Sequence, residues 1–242
     1  MTEKLYWEDP YLKEFSAKVV ETRTLSDGRV GVLLDRTAFY PTSGGQPNDT
    51  GMMSYDGRTA TVIDVSKDGD NVLHIVDSVE GMGAGDAVEC RIDWERRYGH
   101  MRHHTALHII DGIVQKRNSG RITGGQIYAD RARMDFDVAG MNREMMQGII
   151  EEAQKIVDDD HSVVSRFLTK EEAMAIPDLS RTDPGNDLLA SLKSVRVIDI
   201  VGFDMQLDGG THVASTKEVG TIVLHEYKNN GAHNKRVYIT LR

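Results

Sequence analysis

The sequence predicts an α+β fold in two domains. Residues 1–90 would form a small N-terminal β-barrel, and residues 91–242 an α/β sandwich with an antiparallel sheet packed on helices. Two observations carry this expectation. Short Val- and Ile-rich segments separated by Gly- and Asp-rich turns fill the first part, with no long helical pattern among them. From Asp93 onward the apolar residues recur with the period of a helix.

In the first part the strand candidates are 16–22 (SAKVVET), 30–35 (VGVLLD), 59–65 (TATVIDV), 71–76 (NVLHIV) and 87–92 (AVECRI). Between the second and third lies DRTAFYPTSGGQPNDTG, read as a long ordered loop over 35–51. Gly44 and Gly45 there permit positive φ or close approach, and Pro41 and Pro47 stiffen the shoulders. In the second part, Met101, Leu107, Ile110 and Val114 mark a helix over 94–117. Alternation around Ile122, Ile127, Met134 and Phe136 gives two strands joined through Tyr128–Arg131. Asn142 caps a helix that carries Met145, Ile149, Glu152 and Ile156. A strand and a short helix from Lys170 follow, then strands at 195–201, 221–227 and 235–241, and a single sheet with two helices on one face is the economical packing.

Composition narrows the function. The chain has 242 residues, 28% of them charged, and a net charge of -9, which argues against non-specific binding to DNA. Basic residues nevertheless crowd one stretch, from Arg91 through Arg96, Arg97 and Arg102 to Arg133, and could hold a phosphate backbone locally. Cys90 is the one cysteine, so neither a disulfide framework nor a Cys-rich zinc knuckle is available, and it reads as a small buried hydrophobe. No apolar run approaches the ~20 residues a membrane span needs, and the N-terminus has no apolar leader. The expectation is a cytoplasmic protein with no membrane and no DNA partner.

The residues that point to chemistry are histidines. His104 and His108 are four apart on the predicted helix, so they share a face. His100 and His103 compete for membership of the same cluster. A second half is offered by DGGTHV, where Asp208 and His212 flank Gly209, Gly210 and Thr211 in a loop supple enough to turn both side chains toward one point. Three imidazoles and a carboxylate are a legitimate tetrahedral set for Zn²⁺. The competing reading is a helix with surface histidines beside an Asp-Gly turn.

Taken together, HMRHHTALHIIDGI and GFDMQLDGGTHVASTKEVG resemble the editing domain of alanyl-tRNA synthetases and the free-standing AlaX-type alanyl-tRNA editing proteins. LLDRTAFYPTSGGQPNDTG is similar to the segment that precedes that domain and is kept in the medium-length AlaX class. The resemblance implies a trans-editing hydrolase that deacylates mischarged tRNA(Ala), chiefly the seryl and secondarily the glycyl ester. A second, hydrolytic site suits this task, because a pocket built for a methyl group cannot strongly reject a residue that is smaller or merely gains a hydroxyl. The family's metal signature falls on His104, His108 and His212, and its cysteine position is occupied here by Asp208. That departure leaves three readings open: Zn²⁺ held through oxygen, another divalent ion or weaker affinity, or no catalytic metal.

Candidate catalytic residues are His104, His108, Thr211 and Gln126, and candidate substrate contacts are Thr42, Ser43, Gly44, Gly45, Gln46 and Arg102, with Arg96 and Arg97 as possible aids. The loop from Thr37 to Gln46 resembles the family's Gly-rich motif, with Thr-Ser-Gly-Gly where the usual run is richer in glycine. No free Ser-His-Asp triad is evident. The alternatives are a metal-poor tRNA-binding module and a related aminoacyl-ester hydrolase whose substrate preference has moved with Asp208. The expected partner is mischarged tRNA(Ala), bound by a monomer or weak homodimer.

Overall fold

The computed structural model describes residues 1–118, 120–181, 185–187, 189, 194–231 and 233–242. The chain divides into two compact units, Met1–Tyr98 and Gly99–Arg242.

The first unit is built on a closed six-stranded barrel. A two-residue strand β1 (Glu3–Lys4) pairs in parallel with β4 (Arg36–Thr37), with α1 (Leu5–Glu8) following β1. The barrel strands are β2 (Glu14–Thr24), β3 (Val30–Leu34), β5 (Gly51–Tyr55), β6 (Arg58–Asp68), β7 (Asn71–Val76) and β8 (Ala87–Ile92), closed in the order β2-β3-β7-β6-β5-β8. Alternation makes β2 and β8 two-faced, whereas β3 and β7 are buried on both faces. Phe15, Ala17 and Val19 of β2 point inward with Val88, Cys90 and Ile92 of β8, while Glu14, Ser16 and Lys18 face out. The register shifts between Val62 and Asp64 on β6, and Ile63 at that irregularity is left exposed.

The closing strand β5 lies at the end of the segment read as a loop. Its GMMSY sequence carries no β-branched residue, so the expected strand signal is missing, yet it joins β6 to β8. Gly51 is required there, because a Cβ would stand 2.1 Å from the Arg91 carbonyl oxygen. Ser43 and Gln46 exchange backbone hydrogen bonds at 3.0 and 2.9 Å around Gly44 and Gly45, whose φ of 58° and 83° fit a two-residue turn of type I′.

The second unit holds two antiparallel sheets rather than one. β9 (Arg121–Ile127), β10 (Ala132–Asp137), β14 (Ile222–Asn229) and β15 (Lys235–Leu241) form a sheet in the order β14-β15-β10-β9. β11 (Val163–Thr169), β12 (Ser194–Ile200) and β13 (Asp204–Leu207) form the other, in that order. The expectation of a single sheet fails because strand patterns fix which residues alternate, not which strands pair. The four-residue β13, with Asp204 and Gln206, gives almost no apolar signal.

Helix α2 (Trp94–Asn118) is buried on every side from His103 to Val114, which marks a central helix rather than a surface one. α3 (Arg143–Asp158) begins at Asn142, whose side chain accepts from the Met145 N–H at 2.9 Å. Its buried face is Met146, Ile149, Ile150, Ala153 and Val157. The stripe expected through Met145, Glu152 and Ile156 is therefore rotated: Met145 is exposed and the other two are half-buried. α4 (Lys170–Met174) is closed by a capping box between Thr169 and Glu172. A 3-10 turn over Thr216–Val219 follows the loop after β13. No helix among the described residues is long and apolar enough to cross a membrane.

Candidate metal centre

One turn of α2 separates His104 from His108, so both rings leave the helix on one side. The loop after β13 presents Asp208 and His212 to the same point. The ligand atoms these four residues offer all lie within 4.8 Å of one another. Ring centroids are 5.0 Å apart for His104–His108, 4.2 Å for His104–His212 and 4.5 Å for His108–His212. His104 Nε2 lies 3.4 Å from Asp208 Oδ1, and His212 Nε2 lies 3.1 Å from Asp208 Oδ2. A tetrahedron with bonds of ~2.0–2.1 Å has edges of about 3.4 Å, so these separations are already close to those of a coordination shell.

Several residues hold this arrangement in place. Asp208 accepts from the Gly210 N–H at 2.5 Å, which curls the loop back on its own side chain. Arg196, buried on β12, donates to the carbonyls of Asp208 at 3.1 Å and Gly210 at 2.8 Å. Thr105 stands 3.1 Å from His212 Nδ1 and accepts from the Val213 N–H at 3.3 Å. With Nδ1 occupied in this way, His212 turns Nε2 toward Asp208. Gln206 donates to the His108 carbonyl at 2.9 Å and to Asp204 at 2.7 Å. Asp204 in turn shares Arg181 with Asp111, one further turn along α2. Burial pushes the Asp111 carboxyl up to about 6, against the pull of Arg181.

Electrostatics suit a dication. Burial pushes the His104 ring down to about 3 and lowers His108 and His212, so all three are neutral at pH 7 with lone pairs available. Burial would raise the Asp208 carboxyl, but the adjacent His104 and the His212 hydrogen bond hold it well below the usual range. His108 Nδ1 is buried with no hydrogen-bond partner among the described residues. Leaving such a nitrogen unpaired is costly unless a group from outside the protein's own donors and acceptors engages the ring. The donor set, its spacing and this orphaned atom fit a divalent ion of the zinc type.

The structure thus brings together His104, His108, Asp208 and His212. His100 and His103 do not join them: His100 is buried one turn before His104, and His103 is buried just before it on another side of α2, with Nδ1 bonded to the Gly99 carbonyl at 2.8 Å. Thr211 is fully buried between the two loop ligands in sequence. Gln126 is half-buried on edge strand β9, with its amide 3.3 Å from the Ile127 carbonyl. Arg102 spends its guanidinium on the carbonyls of Glu218, Val219 and Arg242, which gives no support to a contact with a tRNA end.

In the barrel unit, Thr42 and Gly44 are exposed, Ser43 and Gly45 half-buried, and Gln46 wholly buried. Ser43 Oγ accepts from Lys67 at 2.7 Å, and Thr42 accepts from the Asn48 N–H at 3.1 Å. Arg97 requires a correction. It is not a solvated charge that could aid RNA contact but is fully buried, ion-paired with Asp49 and bonded to the carbonyls of Pro10 and Ala38. Arg96, half-buried, donates to the Asn48 carbonyl at 2.9 Å.

Comparison with known proteins gives this arrangement a family. Residues 3–96 match the family model described as class II (A) tRNA synthetases. Residues 195–238 match the second additional domain of threonyl- and alanyl-tRNA synthetases. The alanyl-tRNA editing protein AlaX-M of Saccharolobus solfataricus is 40% identical over the whole of both chains. That of Methanosarcina acetivorans is 39% identical over 100% of this chain and 99% of its own. The alanine–tRNA ligase of Pyrococcus furiosus is 37% identical over 91% of this chain, which spans 24% of the ligase. With full-length identity at that level and a shared second additional domain around Asp208 and His212, the protein belongs to the AlaX family of alanyl-tRNA editing proteins.

Proposed function

We propose that the protein is a trans-editing aminoacyl-tRNA deacylase that clears mischarged tRNA(Ala), chiefly its seryl ester and secondarily its glycyl ester. The reaction would take place at one Zn²⁺ per chain held by His104, His108, Asp208 and His212. The convergence of three neutral imidazoles and one carboxylate within 4.8 Å, in a chain of the alanyl-tRNA editing family, is the observation that carries this reading.

A bound zinc ion would supply Lewis acidity toward an ester carbonyl or a water. The protein's part is to keep the site organised. Neutral His104, His108 and His212 and ionised Asp208 give a donor set of net charge −1, matched to a dication without further proton release at pH 7. Thr105 fixes the His212 ring, and Arg196 fixes the loop that carries Asp208. Thr211, next to His212 in the loop, and Gln126 would contact the aminoacyl ester, while Thr42, Ser43, Gly44 and Gly45 of the barrel unit are candidates for contact with the tRNA and the buried Gln46 would hold their turn. Asp208 in place of the family's cysteine makes the site harder, so zinc is bound through oxygen and more weakly than by a thiolate.

The test is serine release from Ser-tRNA(Ala), with Ala-tRNA(Ala) as control, before chelation, after it, and with Zn²⁺ restored. The expected result is seryl hydrolysis that chelation abolishes and zinc restores. Hydrolysis that survives full metal removal would overturn the metal mechanism, and a folded protein that cleaves neither ester would overturn the function.

A further inference from the structure

One turn beyond His108, α2 carries a carboxylate that the metal cluster does not use. Asp111 is wholly buried. Its Oδ2 accepts from Arg181 at 2.7 Å, while Oδ1, equally buried, has no hydrogen-bond partner among the described residues. The next residue, Gly112, lets β13 come against the helix, because a Cβ there would stand 2.9 Å from both Asp204 Oδ2 and Phe203 Cε1. Asp204 thereby reaches the same guanidinium, accepting at 2.9 and 2.7 Å, and Gln206 joins its carboxylate to the His108 carbonyl. One largely buried guanidinium thus serves two buried carboxylates.

Arg181 and Asp204 alone would make a balanced pair, held at two points. Asp111 adds a charge secured by one hydrogen bond, and burial works against that charge, pushing its carboxyl up to about 6. A dication supplies the reason to keep it. With zinc bound, three neutral imidazoles and Asp208 leave one positive charge at the centre. Two buried guanidiniums add to it, Arg196 acting on His104 and His212, and Arg181 on His108. Against them stand three carboxylates, Asp208, Asp111 and Asp204, so the protein's own charges in this region carry one negative charge in excess. Residues three apart on a helix have Cβ atoms ~5–6 Å apart, which keeps Asp111 within the field of an ion at His108.

We propose that Asp111 is a positioning residue of the metal centre: its buried charge, coupled to Asp204 through Arg181, tightens the hold of His104, His108, Asp208 and His212 on a divalent ion. The proposal rests on the metal reading above. The competing role is a staple that merely fastens α2 to β13. The two roles give opposite results for Asp111→Asn. The amide keeps the shape of the side chain and can still accept from Arg181 through its oxygen, but it carries no charge. A staple would lose stability and leave metal affinity alone. A countercharge would lose metal affinity and leave the metal-free fold as stable as before, or more so, since Arg181 and Asp204 are then evenly matched.

The experiment measures Zn²⁺ affinity by chelator competition at pH 8, where Asp111 is ionised, and denaturant unfolding of the metal-free protein. It compares wild type, Asp111→Asn, and the double variant Asp111→Asn with Arg181→Gln. Asp111→Asn is expected to weaken zinc about 10- to 100-fold with an unchanged or raised unfolding midpoint. The double variant restores the surplus negative charge through Asp204 and should recover most of the lost affinity. Zinc bound equally by wild type and Asp111→Asn would overturn the proposal, as would an Asp111→Asn protein whose metal-free fold is lost or markedly weakened. A double variant that folds but binds zinc no better than Asp111→Asn would also overturn it. If folded wild-type protein binds no zinc, the metal reading itself fails and this role falls with it, whereas the other outcomes leave that reading intact.

Discussion

His74 in the barrel and His108 on α2 are both buried and both held neutral, yet they do different things. Burial pushes the His74 ring down to about 4, and the barrel completes its hydrogen bonds, with Nδ1 3.0 Å from the Val32 carbonyl and Nε2 2.8 Å from Thr37 Oγ1. His108 is neutral for the same reason, but its Nδ1 has no partner among the described residues, and two further imidazoles and a carboxylate face it. The buried arginines repeat the contrast. Arg97 is closed off by Asp49 and two carbonyls, whereas Arg196 spends its donors on shaping the loop that offers Asp208. A buried polar residue whose partners are all its own protein's is architecture. One whose imidazole converges with other metal-binding side chains and keeps a buried nitrogen unpaired, as His108 does, is prepared for a ligand.

The sharpest way to break the comparison is Arg97→Ala. It leaves the Asp49 carboxylate buried and unpaired, and should destabilise the barrel by about 3–5 kcal/mol in denaturant unfolding. Zinc affinity of the second unit should stay the same. A cost below about 1 kcal/mol would show that the pair is not the structural element described.

Next in size is the pH dependence of His74. Its folded pKa of about 4 lies below the ordinary 6.5, so the unfolded chain takes up more protons between those values. The stabilisation from keeping His74 neutral, about 3 kcal/mol, is therefore present above pH 6.5 and lost as pH falls toward 4. Unfolding free energies at pH 7 and pH 4.5 in chelator should show a smaller acid loss in His74→Gln than in the wild type. Equal losses would remove His74 from the account.

Thr105→Val removes the partner of His212 Nδ1 and should weaken zinc about 10- to 100-fold by chelator competition, without touching barrel stability. The smallest change expected is in Asp208→Cys, which should tighten zinc while leaving unfolding of the metal-free protein nearly unaltered. Weaker zinc in that variant would argue that the loop is shaped for a carboxylate.

Much of this centre is legible in the sequence because its parts are local. His104 and His108 are related by one helical turn, and Asp208 and His212 sit in one short Gly-rich loop. The residues that hold them are less visible. Thr105 is an ordinary helix residue until Val213 and His212 are known to meet it. Arg196 did leave a signal, a single arginine within the apolar run VRVIDIV, which a buried strand does not tolerate without partners. Arg97 misled because two adjacent arginines near the start of a helix read as solvated charge, and nothing in sequence marks Asp49, 48 residues earlier, as its partner. β5 and the pairing of the second unit's strands stayed hidden for a related reason. Met and Ser carry little strand preference, and the choice of neighbouring strand is made by tertiary packing.

The central claim is that His104, His108, Asp208 and His212 form one metal site. The most direct measurement is metal content and zinc binding by calorimetry, on wild-type protein and on His108→Ala, with far-ultraviolet circular dichroism to confirm that both are folded. The account predicts one zinc per wild-type chain and none retained by the folded variant. Equal zinc in both, or a folded wild type that binds none, would contradict it.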